Sequence, residues 1–237
     1  MNKVFCISDI HGSYRGLMQC FERSKFDYEN DRLICMGDVP DGYPETKQCF
    51  NELLKIKNLV YIFGNHCFWF LDYAINGNAP EIWTSQGGIA TLDSYNGEIA
   101  IPLNHVDLLK NAPYYFEYDN KLFVHGGLDL NIKDITRQKP FVLMWDRDLL
   151  KTAHKWHWRA MSGSQAPVFR KFTNYDEIFV GHTTTYYYKS SKPLHFCNVW
   201  DLDTGGRFEG ALTIMDINTK EYWQSDICKT LYPNFKH

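Results

Sequence analysis

The amino-acid sequence predicts a single α/β domain that contains two β-sheets. Three observations support this prediction. Short apolar runs alternate with amphipathic helical patterns in the first quarter of the chain, which is typical of βαβαβ units. Beyond Pro113 the sequence is instead rich in strand-like runs. No low-complexity tract or change of composition marks a linker between these parts, so we expect residues 1–237 to form one domain.

The N-terminal part begins with three predicted strands and two predicted helices. The strands are the apolar runs KVFCIS (3–8), RLICM (32–36) and LVYIF (59–63). Between them, apolar side chains recur at spacings of three and four residues after residue 12 and again within 45–56. This spacing places the apolar side chains on one face of a helix. The order of the elements therefore predicts strands joined by crossover helices.

The middle and the C-terminal part of the chain have different patterns. Residues 67–111 combine helical spacing with many aromatic side chains, as in CFWFLDYA (67–74), and predict a helical cap. Further on, YYFEYDNKLFVH predicts a β-hairpin that turns at Asp119 and Asn120. The runs EIFVGH, HFCNVWDLD and ALTIMDI predict further strands, and so a second sheet.

Composition and charge exclude several classes of protein. The formal net charge is −3, so the molecule has no overall positive field that would attract nucleic acid or an anionic membrane. The apolar runs are shorter than the roughly 18 residues of a membrane span, and the N-terminus lacks the pattern of a signal peptide. The seven cysteines are dispersed without a CxxC pair, which favours reduced, buried thiols. We therefore expect a cytoplasmic protein without nucleic-acid or membrane partners.

Side chains that can bind metal ions follow the predicted strands, at the point where each strand ends. In open α/β sheets, ligands bind beyond the carboxyl ends of the strands. A lone Asp in this position is usually a helix cap or turn residue, and a lone His is usually a hydrogen-bonded surface group. Several Asp and His side chains together at such strand ends favour a metal site instead. The side chains are those of Asp9, His11, Asp38, Asn65, His66, His125 and His182.

The types of these side chains indicate which ions they would bind. A mixture of carboxylate oxygens and imidazole nitrogens suits Mn²⁺, Fe²⁺ and Zn²⁺. Two such ions about 3.5–4 Å apart need a bridging group. Asp38 is the natural bridge because it lies centrally in the set. Glycines such as Gly37 and Gly64 flank these residues and let the backbone turn sharply. The pattern therefore predicts a pair of divalent ions.

Five short blocks follow one another along the chain. They are SDIHG (8–12), GDVPDGY (37–43), GNHC (64–67), VHGGL (124–128) and GHTTT (181–185). In this order they resemble the motifs of the metallo-dependent phosphoprotein phosphatases, which are calcineurin-like metallophosphoesterases, and above all the compact bacterial and bacteriophage Ser/Thr phosphatases. The resemblance spans residues 4–217, because three further segments also match: SQGGIATLDSY (85–95), LMWDRD (143–148) and DTGGRFEGALTIMDI (203–217).

The resemblance implies a fold and a pair of metal ions. The fold consists of two mixed β-sheets packed as a sandwich, with helices outside. The implied ligands are Asp9, His11 and Asp38 for one ion, and Asp38, Asn65, His125 and His182 for the other. Mn²⁺ is the expected ion, with iron or zinc as the alternatives.

The resemblance also implies a reaction, the hydrolysis of phosphomonoesters in a phosphoprotein or in a small phosphorylated molecule. A hydroxide shared by the two ions would attack phosphorus. His66 would act as the general acid that protonates the leaving oxygen, and Asp41 would orient it. Arg147, in the segment LMWDRD, matches an arginine that binds the phosphate.

The chain departs from the family pattern where that pattern has two more arginines. Gly42 and Phe63 stand at these positions, and Cys67 replaces an acidic residue. A basic segment at residues 148–171 is one possible source of the missing charge, as a lid over the site, and a less charged diester substrate is another explanation. Two alternatives to a monoesterase therefore stay open. One is a phosphodiesterase or dinucleotide polyphosphate hydrolase, and the other is a non-catalytic, metal-bound module that binds a partner protein or a phosphorylated ligand.

Overall fold

The computed structural model describes residues 2–96, 101–162 and 172–235, which form two β-sheets surrounded by helices. The strands are β1 (Val4–Ile7), β2 (Arg32–Cys35), β3 (Asn58–Tyr61), β4 (Tyr115–Tyr118), β5 (Lys121–Val124), β6 (Glu177–Val180), β7 (Leu194–Phe196), β8 (Val199–Asp201), β9 (Thr213–Asp216) and β10 (Tyr222–Gln224). The helices are α1 (Tyr14–Ser24), α2 (Thr46–Leu53), α3 (Asn65–Asn76), α4 (Glu81–Trp83), α5 (Ile89–Ser94), α6 (Leu103–Lys110), α7 (Pro140–Trp145), α8 (Asp148–Met161) and α9 (Cys228–Leu231).

The first sheet has five strands in the order β10-β9-β1-β2-β3. Strands β1, β2 and β3 are parallel and are connected through α1 and α2, as the sequence predicts. Strands β9 and β10 continue the sheet in antiparallel orientation. The sequence did not predict β10, because its three half-buried residues are too few to show an alternating pattern.

The second sheet also has five strands, in the order β4-β5-β6-β8-β7. Its three central strands are parallel, and the edge strands β4 and β7 are antiparallel to their neighbours. Strands β4 and β5 form the predicted hairpin, in which Asp119 and Asn120 have left-handed φ values of 48° and 55°. Two central residues with positive φ match the twist of the flanking strands. Both sheets are therefore mixed.

The two sheets pack face to face through an apolar layer. Within β1, Cys6 faces this layer and Phe5 faces the outer helices, since successive side chains of a strand alternate between its two faces. From the second sheet, Phe123 and Phe179 stack in the same layer with 4.8 Å between their ring centroids. Further apolar clusters fill the space between each sheet and its helices. This arrangement confirms the predicted sandwich.

Two regions noted in the sequence lie beside the sheets. In residues 67–96 and 101–111, most of the chain is helical, from α3 to α6, and α5 packs against α2. The basic segment begins with α8, whose Leu149, Leu150 and Ala153 are buried against the second sheet. Residues 163–171 of the expected lid lie outside the described residues.

The remaining general features concern thiols and helix length. All seven cysteines are buried and carry free thiols. Among the helices of residues 2–96, 101–162 and 172–235, none is both long and apolar enough to cross a membrane.

Candidate metal centre and active site

Polar side chains from both sheets meet where parallel strands end. The loops after β1 and β2 and the start of α3 bring five of them from the first sheet, and the loops after β5 and β6 bring two histidines from the second. All are buried, with relative exposures of 9% or less. The side chains are those of Asp9, His11, Asp38, Asn65, His66, His125 and His182. The structure thus brings the expected strand-end residues into one interior site.

The backbone of this site has a strained conformation. Asp9, His11 and Asp38 have φ values of 47°, 49° and 45°. Asp41 and His182 have φ values of 72° and 63°. A left-handed conformation costs a residue other than glycine on the order of 1–3 kcal/mol and persists only where the surrounding structure enforces it. Since such strain clusters at functional sites, its concentration here supports a functional centre.

One group of potential metal ligands surrounds His125. Its Nε2 lies 3.1 Å from Oδ2 of Asp38 and 2.9 Å from Oδ1 of Asn65. Its Nδ1 lies 2.7 Å from the carbonyl oxygen of Met36 and donates to it, which leaves Nε2 as the ligand atom of the neutral ring. Ligand atoms of Asp38, His125 and His182 lie within 4.8 Å of one another. Nε2 of His182 is buried without a hydrogen-bond partner among the described residues, as expected for a nitrogen that binds a cation.

A second group shares Asp38 with the first. Ligand atoms of His11, Asp38 and His66 lie within 4.8 Å of one another. Nδ1 of His11 donates to the carbonyl oxygen of Asp41 over 2.6 Å. This leaves Nε2 of His11 as its ligand atom, 3.9 Å from Oδ1 of Asp9. Asp38 is therefore common to both groups, which is the position that a bridging ligand requires.

The carboxylates of the site are held by short contacts that leave no room for extra atoms. Oδ1 and Oδ2 of Asp9 accept from the backbone N–H of His182 at 3.1 and 3.0 Å, and the Ser8 hydroxyl also donates to Oδ2. A Cβ atom at Gly181 would collide with Oδ2 of Asp9, and one at Gly64 would collide with Oδ1 of Asp38. The two glycines thus let the carboxylates approach the backbone closely.

Burial and neighbouring charges set the protonation of the ligand side chains. Burial raises the pKa of Asp38, but the imidazoles of His125, His66 and His11 together outweigh burial and hold that pKa below its ordinary value. Burial lowers the pKa of His125, but the Asp38 and Asp9 carboxylates and the hydrogen bonds to Asp38 and Met36 together outweigh burial and raise the pKa to about 9. Burial lowers the pKa of His182 to about 2, so this ring is neutral. Carboxylates and neutral imidazoles bind divalent cations, so Asp38 and His182 are in the form that binds a metal ion, and His125 would release its proton when an ion binds.

Asp41 is fully buried and accepts hydrogen bonds from three side chains. Oδ2 of Asp41 lies 2.7 Å from Nδ1 of His66 and 2.8 Å from Nε1 of Trp83, and Oδ1 accepts from Oγ1 of Thr91 at 2.8 Å. Burial raises the pKa of Asp41, and these donors lower it in part. The contact at Nδ1 fixes the ring of His66 and turns Nε2 away from Asp41. The sequence did not reveal Trp83 and Thr91, because their segment indicated only a helical cap.

Nε2 of His66 faces a guanidinium group that the sequence motifs did not single out. Nη1 of Arg207 lies 3.0 Å from this nitrogen, and Nη2 donates to the carbonyl oxygen of Gln86 at 2.6 Å. Burial lowers the pKa of Arg207. The one signal in the sequence is its position in DTGGRFEG, a glycine-rich loop that follows β8 and so opens at a strand end.

The other positions noted in the sequence have different surroundings. Arg147 borders the site, where its Nη1 donates to the carbonyl oxygen of His182 at 3.2 Å. Phe63 is buried in the apolar core and packs edge-on against Tyr114. Burial raises the pKa of the Cys67 thiol to about 12, so this cysteine is a buried small residue and not a reactive nucleophile.

A strip of aromatic side chains, formed by Trp69, Trp145 and Phe141, borders the same site. The rings of Trp69 and His66 are 5.2 Å apart, and the ring of Trp145 lies 5.6 Å from Trp69 and 5.8 Å from His182. Phe141 is 68% exposed and stacks on Trp145. The strip therefore offers apolar ring faces beside the potential metal ligands.

Comparison with known proteins agrees with this geometry. The sequence model of the calcineurin-like phosphoesterase family matches residues 2–186. The chain is 26% identical over 221 residues to serine/threonine-protein phosphatase 1 of Salmonella typhimurium, across 90% of this chain and 91% of that protein. It is 28% identical over 134 residues to a symmetrical bis(5'-nucleosyl)-tetraphosphatase of Coxiella burnetii, across 55% of this chain and 44% of that protein. The crystal structure of a metallophosphoesterase from Sphaerobacter thermophilus has a TM-score of 0.56 at 13% identity, across 94% of this chain and 88% of that chain.

Proposed function

Because this chain belongs to the calcineurin-like phosphoesterase family, we propose that it is a dinuclear metal-dependent phosphatase that hydrolyses phosphomonoesters. The substrate is a phosphorylated protein or a small phosphorylated molecule. The observation that carries the proposal is the pair of buried ligand groups that share Asp38. The similarity to a bacterial serine/threonine-protein phosphatase over most of the chain supports it.

The residues present fit two divalent ions. Mn²⁺ is the ion we expect, and iron or zinc are the alternatives. The ligands we assign are Asp9, His11 and Asp38 for one ion, and Asp38, Asn65, His125 and His182 for the other. When bound, the two ions would lower the pKa of the attacking water and offset negative charge on the phosphoryl oxygens. The buried Nε2 of His182, which has no hydrogen-bond partner within the described residues, supports this fit.

His66 supplies the proton that the leaving group needs. With Nδ1 held by Asp41, the doubly protonated ring of His66, no longer in contact with Nη1 of Arg207, transfers the proton on Nε2 to the ester oxygen of the substrate. The oxygen of water forms a new bond to phosphorus while the bond between phosphorus and the ester oxygen breaks. The products are the free alcohol and inorganic phosphate. Arg147, which borders the site, binds a phosphoryl oxygen in this proposal.

The test compares a monoester with a diester. Protein loaded with Mn²⁺ should hydrolyse p-nitrophenyl phosphate faster than bis(p-nitrophenyl) phosphate. His66→Ala should lower kcat for the monoester by about 10²- to 10⁴-fold while the metal content stays unchanged, because only proton transfer is lost. Faster diester turnover, or unchanged turnover by His66→Ala, contradicts the proposal. A protein that binds both ions and hydrolyses neither ester nor diadenosine tetraphosphate is instead a binding module.

A second candidate function, the hydrolysis of dinucleotide polyphosphates, is favoured by the aromatic strip. Nucleobases stack on exposed aromatic rings, and Phe141 and Trp145 present such faces beside the site. A relative that matches part of the chain is a bis(5'-nucleosyl)-tetraphosphatase. A kcat/KM for diadenosine tetraphosphate above that for p-nitrophenyl phosphate, reduced by Trp145→Ala, would select this function.

We also propose a setting for the activity. In this proposal residues 1–237 belong to one domain, with a helical cap at 67–111 and a basic lid at 148–171, of which residues 163–171 lie outside the described residues. The buried free thiols support a reducing compartment, and we place the protein in the cytoplasm.

A further inference from the structure

We propose that Arg207 is a phosphate-binding residue of this site and that it replaces, from a distant loop, the arginine absent at position 42. The inference deepens the proposed function and rests on it. It concerns how the enzyme binds the phosphoryl group of a monoester, which is a dianion that a guanidinium recognises through paired N–H donors.

The backbone at Gly42 explains why an arginine is not placed there. Gly42 has a φ of 128°, which residues with a side chain rarely adopt. A Cβ atom at this position would lie 2.8 Å from the carbonyl oxygen of His11, closer than normal contact. It would also lie 3.6 Å from Cγ of Arg207. The stem of Arg207 therefore lies against the space where a side chain at position 42 would begin.

The guanidinium of Arg207 is held in one orientation. Nη2 donates to the carbonyl oxygen of Gln86 at 2.6 Å, and the cation also lies over the ring of Phe208, 5.4 Å from its centroid. These contacts fix the plane of the group, so little further ordering is needed when an anion binds. Two N–H groups make the contacts to Gln86 and His66, and an arginine has five.

The position of Nη1 links phosphate binding to the proton donor. Nη1 lies 3.0 Å from Nε2 of His66, the nitrogen that faces the leaving oxygen in the proposed reaction. A phosphoryl oxygen that accepts from Nη1 takes the place of Nε2 as its partner. This exchange frees Nε2 to contact the ester oxygen of the same substrate. Arg207 thereby places the phosphoryl group between the metal ligands and the general acid.

The experiment measures phosphate binding as well as turnover. Orthophosphate is titrated into the metal-loaded protein by calorimetry, and its inhibition constant against p-nitrophenyl phosphate is determined. Arg207→Ala should weaken orthophosphate binding and raise KM by about 10- to 100-fold, as expected for the loss of a charge-assisted, paired contact. Arg207→Lys should restore part of the loss, because it keeps the charge without the fork. Guanidinium chloride at millimolar concentration should partly rescue Arg207→Ala.

Arg23→Ala is the matched control, since this arginine lies at the surface and pairs with Asp226. Arg23→Ala should leave orthophosphate binding and KM unchanged. If Arg207→Ala is folded and binds orthophosphate as the wild type does, the inference is wrong. If, in addition, kcat falls while KM stays unchanged, Arg207 only positions His66. If Arg207→Ala does not fold, Arg207→Gln, which keeps a polar amide side chain without the charge, is measured against the same criterion. A wild type that binds orthophosphate but hydrolyses no ester contradicts the proposed function and leaves the binding comparison valid.

Discussion

Replacing Trp83 with Phe isolates the hydrogen bonds that hold the Asp41 carboxylate. Nε1 of Trp83 lies 2.9 and 2.8 Å from Oδ1 and Oδ2 of Asp41, and both side chains are fully buried. Phenylalanine keeps most of the ring and removes only this donor and part of the indole. The carboxylate then keeps the donors from His66 and Thr91 but loses the one that spans both of its oxygens.

The expected cost has two parts. A hydrogen bond to a charged group contributes about 1.5–3 kcal/mol. The smaller ring adds a cavity penalty of about 1 kcal/mol, because a fully buried site collapses only in part. We therefore expect Trp83→Phe to lower the free energy of unfolding by about 2.5–4 kcal/mol. We also expect kcat for p-nitrophenyl phosphate to fall about tenfold, since a less firmly held Asp41 orients His66 less well.

Urea unfolding followed by far-UV circular dichroism measures the change in stability. Trp158→Phe is the matched control, because Nε1 of this half-exposed tryptophan donates to Nε2 of His154 at the surface. The Trp158→Phe substitution should change the free energy of unfolding by less than about 0.5 kcal/mol. If Trp83→Phe costs no more than Trp158→Phe, the indole does not stabilise the buried carboxylate and this reasoning is wrong.

Two further predictions concern a glycine and the thiols. Gly64→Ala should weaken Mn²⁺ binding by about 10- to 100-fold in calorimetry, because the new Cβ displaces the Asp38 carboxylate. Gly77→Ala, which meets no atom within 4 Å, should bind Mn²⁺ as the wild type does, and equal binding by both variants contradicts the prediction. The seven buried thiols should react with Ellman's reagent at pH 8 only after unfolding in guanidinium, because burial raises the pKa of thiols such as Cys67 and keeps them protonated. A fast reaction of the folded protein would show that a thiol is accessible.

The strand-end residues could be predicted from the sequence because their positions follow from a local pattern. An apolar run fixes where a strand ends, and parallel strands of one sheet end at the same edge. Asp9 and Asp38 follow two such strands, so their proximity needs no knowledge of the loops. In the second sheet, His125 and His182 follow two parallel strands, so their proximity could be predicted in the same way.

Residues that reach the site from loops and cap helices could not be predicted in this way. Arg207 lies 141 positions from His66, and Trp83 lies 42 positions from Asp41. The contacts of both depend on the course of irregular segments, including the kinked backbone at Gly87, whose φ is 95°. Apolar spacing gives no information about such segments. The missing arginine at position 42 was therefore visible in the sequence, but the proximity of Arg207 to this position was not.

The most direct test of the shared role of Asp38 is the metal content of single variants. Protein equilibrated with Mn²⁺ and freed of excess ion is analysed by inductively coupled plasma mass spectrometry. We expect two ions per chain in the wild type, about one in His11→Ala and in His182→Ala, and none in Asp38→Ala, because only Asp38 belongs to both ligand groups. If Asp38→Ala keeps as many ions as His182→Ala does, Asp38 does not bridge two ions and the proposed dinuclear centre is wrong.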